Sequence, residues 1–271
     1  MDNSIENIAI KHYENFPVGS IFLNKNLRKP IHEIYTFARV ADDIADSAIG
    51  GTQQKILKLT EWENSLKIAI ESKSENEFFT KLANTILNFN LSTNLLFDLI
   101  TAFKMDANGI RFLNYDEVLF YCKHSANPIG RLLLELSDNK SDENYLYSDK
   151  ICSALQIINF VQDYEIDFIN KRCYLPEHLM KKNNLEEKDI LINGKPTLIE
   201  YLNYAIKLLD EGKPLLKNSN KNLRFEISLI WNSGKVISEK IRKNLNLENY
   251  KRPEINIFDK ITILSKSIIS K

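Results

Sequence analysis

The sequence predicts an all-α protein, a helical bundle spanning residues 1–271 as a single domain. Three observations carry that expectation. Apolar residues recur at helical spacing in one segment after another. No alternating strand pattern persists, and no composition shift marks a linker. The chain holds only 8 glycines and 7 prolines in 271 residues, too few for long irregular loops.

The elements follow in order. "LRKPIHEIYTFARVADDIADSAIGG" places Ile31, Ile34, Phe37, Val40, Ala41, Ile44 and Ala45 at the spacing of a buried helix face. Pro30 suits its first turn, and Gly50 and Gly51 suit its end. "TQQKILKLTEWENSLKIAI", "NEFFTKLANTILNFN" and "LSTNLLFDLITAFKMDANG" read as three further amphipathic helices. "NYDEVLFYCKHSANPIGRLLLELS" opens with Asn114 three residues before Glu117, the spacing of a capping box, and Pro128 and Gly130 should kink it. "SDKICSALQIINFVQDYEIDFINK" is the most apolar helix. "LPEHLMKKNNLEEKDILINGK" reads as a mobile connection, with its strongest turn signal at "NGKP". "PTLIEYLNYAIKLLDEG" and "NLRFEISLIWNSGKVISEKIRKNL" complete the helices.

Lys+Arg and Asp+Glu both number 36, so the formal net charge is zero. That excludes a nucleic-acid binder working through bulk positive charge. Cys122, Cys152 and Cys173 form an odd set with no CxxC, which suggests reduced thiols. The four histidines lack zinc-ligand spacing. The N-terminal stretch is polar and acidic, unlike a signal peptide, and no run of about 18 apolar residues predicts a membrane span. A cytoplasmic protein is expected, and nothing in the sequence specifies an oligomeric state.

One stretch stands out electrostatically. At 100° per residue from Tyr35, Arg39 falls at about 40°, Asp42 at about −20° and Asp46 at about 20°. These four share one narrow stripe, with Asp43 roughly 80° away at its edge. Like charges at i,i+4 cost a helix about 0.2–0.5 kcal/mol, and acids at a helix C-terminus about 0.3–1 kcal/mol more. Both costs are small, and one isolated DxxxD is most often a solvated acidic face.

A second stripe shifts that balance. "QIINFVQDYEID" sets Gln156, Asn159, Asp163 and Asp167 at spacings of three, four and four, on one polar line of an apolar helix. Ile157, Ile158, Phe160 and Val161 imply burial around it, and buried carboxylates require a counter-charge. Either Arg39, Lys171 or Arg172 pairs with them, or a metal does. Two facing DxxxD turns would offer hard oxygen ligands, and Mg²⁺ takes one or two carboxylates plus phosphate oxygens. With arginine forks nearby, the pattern reads as a metal clamp on a diphosphate.

The stretches "YTFARVADDIADS", "YCKHSANPIGRLLLEL" and "NFVQDYEIDFINKRCYLP" together resemble the squalene/phytoene synthase family of trans-isoprenoid synthases, from about Tyr13 to about Arg252. With "ENFPVGS" and "KRCYLP", the chain looks most like the bacterial hopanoid-pathway branch that makes hydroxysqualene. The resemblance implies an isoprenoid-synthase bundle with a central active-site cavity. It implies ionisation of presqualene diphosphate and addition of water, giving hydroxysqualene and diphosphate. Asp42, Asp46, Asp163 and Asp167 match the metal-binding and catalytic positions, with Asp43 and Asn159 beside them. Tyr35, Arg39, Gln156, Asn159, Arg172 and Tyr174 match substrate-binding positions, as does Ser20 in the N-terminal stretch. Tyr121 matches a tyrosine implicated in the chemistry. The implied cofactor is Mg²⁺. NADPH is not expected, although reductive members need no Rossmann motif, so its absence from the sequence decides little.

Gln162 departs from the pattern, standing where many condensing members carry a basic residue. That fits a substrate with one diphosphate. A head-to-head condensing synthase acting on farnesyl or geranylgeranyl diphosphate is the alternative. A non-enzymatic assembly-factor relative is a third reading, against which both intact DxxxD pairs argue. An apolar substrate and product also imply transient contact with a membrane surface.

Overall fold

A computed structural model of the chain describes residues 24–71, 74–247 and 249–269, and all regular structure among them is helical. The described residues group into two compact units, those within 24–110 with Pro128–Ser141, and Arg111–Asn127 with those within 142–269.

In the first unit, α1 (Lys25–Asp46) packs on α2 (Thr52–Ile70), α3 (Glu77–Phe89) and α4 (Thr93–Ala107). Asn24 starts α1 by accepting a hydrogen bond from the Asn26 amide at 3.1 Å. Pro30 was expected in the first turn but lies inside the helix, because α1 begins five residues earlier. There its ring costs one backbone bond, to the Asn26 carbonyl. The predicted face is the buried one: Ile34, Phe37, Ala41 and Ala45 are all nearly inaccessible. Phe37 stacks on Trp62 with centroids 5.9 Å apart, and the Trp62 indole donates to the Phe37 carbonyl at 3.2 Å. Phe79 meets the same indole edge-on at 4.6 Å. Trp62 therefore ties α1, α2 and α3 together and fixes the angle at which α1 presents its last turns. At that end the Lys55 ammonium donates to the Ala45 carbonyl at 2.8 Å, satisfying a helix-end acceptor.

The second unit is built on α7 (Asp142–Gln162), α11 (Lys195–Glu211) and α13 (Lys221–Leu245). α5 (Tyr115–Ser125) lies against α7, and α14 (Ile257–Ile269) lies against α13. The Asn114 side chain accepts from the Glu117 amide at 3.1 Å, as the capping box predicts. Glu117 reaches back one residue further, to the Leu113 amide at 2.6 Å. The kink expected at Pro128 is a full break at Ala126. α6 (Asn127–Leu136) starts afresh with Pro128 in its first turn, where no N–H is missed.

Three expectations need correction. The helix carrying the second acidic pair does not run unbroken: α7 ends at Gln162, and α8 (Tyr164–Ile169) starts after Asp163. The segment read as a mobile connection folds into α9 (Glu177–Lys182), a 3₁₀ turn (Glu187–Asp189) and α10 (Ile190–Asn193). Backbone bonds from Glu177 to Phe112 at 2.9 Å and from His178 to Leu113 at 3.0 Å hold its start in place. Finally, α12 (Leu215–Asn218) and α14 were not anticipated.

Candidate active site

In the first unit the candidate residues converge on the C-terminal turns of α1. Arg39 lies one turn before the acids. Its Nη1 is 3.3 Å from Asp42 Oδ2 and its Nη2 is 2.8 Å from Asp43 Oδ1. Asp43, which helix geometry places off the stripe, thus takes the closer contact. Asp46 and Tyr35 share the helix, Asp46 exposed and Tyr35 half-buried. One member of the cluster was missed in the sequence: Asp106, in the last turn of α4, adds its charge beside Asp42. Burial, then repulsion from Asp46, pushes the Asp42 carboxyl from 3.8 up to about 7; Arg39 opposes this, while Asp43 and Asp106 add to it. The Arg39 Nε is buried with no hydrogen-bond partner, so the guanidinium is not saturated by its two aspartates.

In the second unit the four-residue register survives the break at Asp163. Asp163 N–H donates to Asn159 O, and Asp167 N–H to Asp163 O, both at 2.9 Å. The acids therefore keep their i,i+4 relation although Asp163 lies outside both helices. After α8, Lys171 adopts φ +60, a left-handed turn that brings the Arg172 amide back to the Asp167 carbonyl at 2.8 Å. The chain reversal is what returns an arginine to the acidic turn. The expected counter-charges for this pair were Arg39, Lys171 or Arg172. The structure supplies another: Arg252 forks Asp163, Nε to Oδ1 and Nη2 to Oδ2, the latter at 3.3 Å. Arg252 was invisible as a partner because it lies far along the chain. Only its place two residues after Tyr250 and directly before Pro253, in "YKRP", marks it.

Asp167 and Arg172 are the two charged residues lining a small, partly open pocket. Its other walls include Phe160, Tyr164, Phe168, Tyr174, Leu175 and Tyr201. Phe160 and Tyr174 stack at 4.2 Å, and Tyr121 on α5 closes on both at 5.9 and 6.4 Å. Tyr121 is buried, and Phe112 backs it at 5.6 Å. Tyr201 is fully buried, and its hydroxyl has no hydrogen-bond partner. Gln156 and Asn159 are half-buried on α7. Cys122, Cys152 and Cys173 are free and buried. Ser20 lies outside the described residues.

The donor set suits a hard divalent cation. Asp42, Asp43, Asp46 and Asp106 supply carboxylate oxygens, and burial first, then the charges of the other three, raise the Asp42 carboxyl while Arg39 lowers it. Among the described residues no three acidic, imidazole or thiol side chains already gather around one point. Mg²⁺ does not require such a cage, since it takes one or two carboxylates and keeps waters or phosphate oxygens.

The chain matches known proteins along most of its length. A family model described as squalene/phytoene synthase matches residues 10–257. The chain is 33% identical over 238 residues to the hydroxysqualene synthase of Sinorhizobium fredii, covering 85% of this chain and 80% of that protein. It is 32% identical over 244 residues to the hydroxysqualene synthase of Zymomonas mobilis, with the same coverage. The crystal structure of squalene synthase HpnC from Alicyclobacillus acidocaldarius superposes with a TM-score of 0.82 at 27% identity, covering 90% of this chain and 93% of that one.

Proposed function

The chain belongs to the squalene/phytoene synthase family of enzymes, and from that premise we propose that it ionises presqualene diphosphate and adds water, giving hydroxysqualene and diphosphate. The observation that carries this reading is the second-unit pocket, aromatic on most sides with one carboxylate and one arginine in its wall. In this reading the aromatic and aliphatic lining faces the apolar part of the substrate, and the charged pair meets its one diphosphate. Residues 1–271 act in this reading as one catalytic domain.

Asp42, Asp46, Asp163 and Asp167 would hold Mg²⁺, with Asp43 and Asn159 adjoining. Magnesium, when bound, draws charge from the diphosphate oxygens and eases departure of the leaving group. Arg39 and Arg172, with Tyr35, Gln156 and Tyr174, grip the diphosphate, guanidinium forks matching phosphate oxygens. The C–O bond to diphosphate breaks with its electron pair leaving on the anion. Tyr121, Phe160 and Tyr174 supply an aromatic wall beside the resulting carbocation and keep bulk water away. A water oxygen then forms the new C–O bond and gives up its proton to the released diphosphate. No hydride enters, so NADPH has no part.

Transient contact with a membrane surface belongs to the same reading, because substrate and product are apolar. α14 supports it by exposing Ile257, Phe258 and Ile261 beside Lys260. Among the described residues no helix is long and apolar enough to cross a membrane.

Incubation with presqualene diphosphate and Mg²⁺, without NADPH and in ¹⁸O-labelled water, tests the reading. Hydroxysqualene carrying one ¹⁸O is expected. Turnover of farnesyl diphosphate with presqualene diphosphate left untouched would overturn it in favour of a condensing synthase.

A further inference from the structure

Gln162 stands between Asn159 and Asp163 in the second motif, yet its side chain does not serve the pocket. It is 1% exposed, and its Nε2 donates to the Pro253 carbonyl at 2.6 Å. The Tyr250 hydroxyl donates in turn to the Gln162 backbone carbonyl at 2.8 Å. Tyr250 also meets Tyr164 edge-on at 4.9 Å, on the first turn of α8. Two hydrogen bonds and a ring contact therefore bind the Tyr250–Pro253 segment to the residues flanking Asp163. Arg252 sits inside that segment, and both oxygens of Asp163 are taken by its fork.

We infer that Gln162 and Arg252 are positioning residues for the second acidic pair: Gln162 anchors the segment, and Arg252 occupies Asp163 so that a divalent cation takes this carboxylate only when the arginine leaves it. The inference rests on Asp163 being a metal ligand, as proposed above. A guanidinium and a dication on one carboxylate bring three positive charges to Asp163, and the exposed Glu254, 3.6 Å from Arg252 Nη1, offsets them only weakly. The arrangement is unfavourable until a polyanion arrives to neutralise it. A diphosphate is such a polyanion, and it accepts a guanidinium fork as readily as a carboxylate does. Metal binding at the second pair is thereby made conditional on the anion. The buried anchor matters because a freely moving arginine would be a weak competitor, losing side-chain entropy each time it paired.

The test reads Mn²⁺ binding by electron paramagnetic resonance, with and without inorganic pyrophosphate. The full chain carries Asp42→Asn, Asp43→Asn, Asp46→Asn and Asp106→Asn so that the second pair is read without the first cluster. Weak binding alone and strong binding with pyrophosphate are expected for this parent. Adding Arg252→Gln should tighten binding of Mn²⁺ alone by about tenfold or more, the scale of a lost charge-assisted fork, and should shrink the gain from pyrophosphate. Arg252→Lys, which keeps the charge, should stay near the parent. Gln162→Leu, which frees the segment without altering any charge, should move the same way as Arg252→Gln but less. A variant that is merely damaged cannot bind metal more tightly, so the sign of the change separates competition from structural loss. Arg252→Gln and Gln162→Leu both binding Mn²⁺ no better than the parent would overturn the inference while leaving the metal assignment standing. A parent that binds no Mn²⁺ even with pyrophosphate would overturn both.

Discussion

Asp42 shows how a functional acid burdens the fold that carries it. Its carboxyl is raised from 3.8 to about 7, by burial first and by Asp46 second. A carboxyl raised in the folded state favours its neutral form there. Its contribution to stability is therefore complete below about pH 4 and is lost as pH rises through 7. The side chain is 38% exposed, so solvent screening reduces the cost of ionisation to about 1–2 kcal/mol. Asp42→Asn should remove that slope between pH 4 and 7. It should also raise the urea midpoint at pH 8 in metal-free buffer, while abolishing turnover. An unchanged pH–stability profile would show that Asp42 ionises freely. The sequence displays much of this cluster, because Tyr35, Arg39, Asp42 and Asp46 lie on one helix whose 100° step is known in advance. It hides Asp106 and Arg252, whose relation to the acids exists only after distant segments have packed. Nor does helix geometry reveal that Arg39 favours Asp43 over Asp42, since rotamers decide that contact.

Among the elements, α7 and α11 pack closely enough to need glycine at one crossing. A Cβ on Gly212 would lie 2.8 Å from the Tyr147 carbonyl oxygen and 2.5 Å from Ile151 Cγ1. The carbonyl belongs to α7's own backbone and cannot swing away. On α13, a Cβ on Gly234 would meet only the ends of Leu155 and Leu209, at 2.9 and 3.0 Å. Gly212→Ala should therefore cost about 2 kcal/mol by forcing the two helices apart. Gly234→Ala should cost under about 1 kcal/mol, as leucine rotamers yield and alanine favours the helix. Thermal unfolding of the two variants side by side checks the order, and equal losses would refute the backbone argument. Most helices were legible from period, and α5 also from the Asn114 cap before it. The break at Asp163 was not, because the four-residue hydrogen-bond register, and with it the polar stripe, continues across it. α14 was missed because Lys260 and Lys266 interrupt its apolar run. Its hold on the protein is partly polar, through a buried Asn232–Ser267 hydrogen bond of 3.1 Å and the Lys240–Asp259 ion pair.

Across the whole molecule, the fold class was legible because helical period is a local property, repeated in every segment. The partition into units was not, because it is discontinuous in sequence: α5 belongs with α7, while nearly all of α6 returns to the unit of α1. Each unit carries one acidic pair, Asp42 and Asp46 in the first, Asp163 and Asp167 in the second. Two pairs with separate tasks, one for binding and one for chemistry, would contribute independent factors to the rate. Two pairs acting on a single ionisation form one unit of function, and removing either already removes most of what both provide. In single-turnover reactions at saturating Mg²⁺ and presqualene diphosphate, Asp42→Asn and Asp163→Asn should each slow ionisation by about 10²-fold or more. The double variant should then fall little further than the slower single one. Multiplying losses, to about 10⁴-fold, would instead assign the pairs to different steps. Both substitutions replace a carboxylate with an isosteric amide, so the comparison weighs charge at nearly constant volume, the Arg252 fork on Asp163 included.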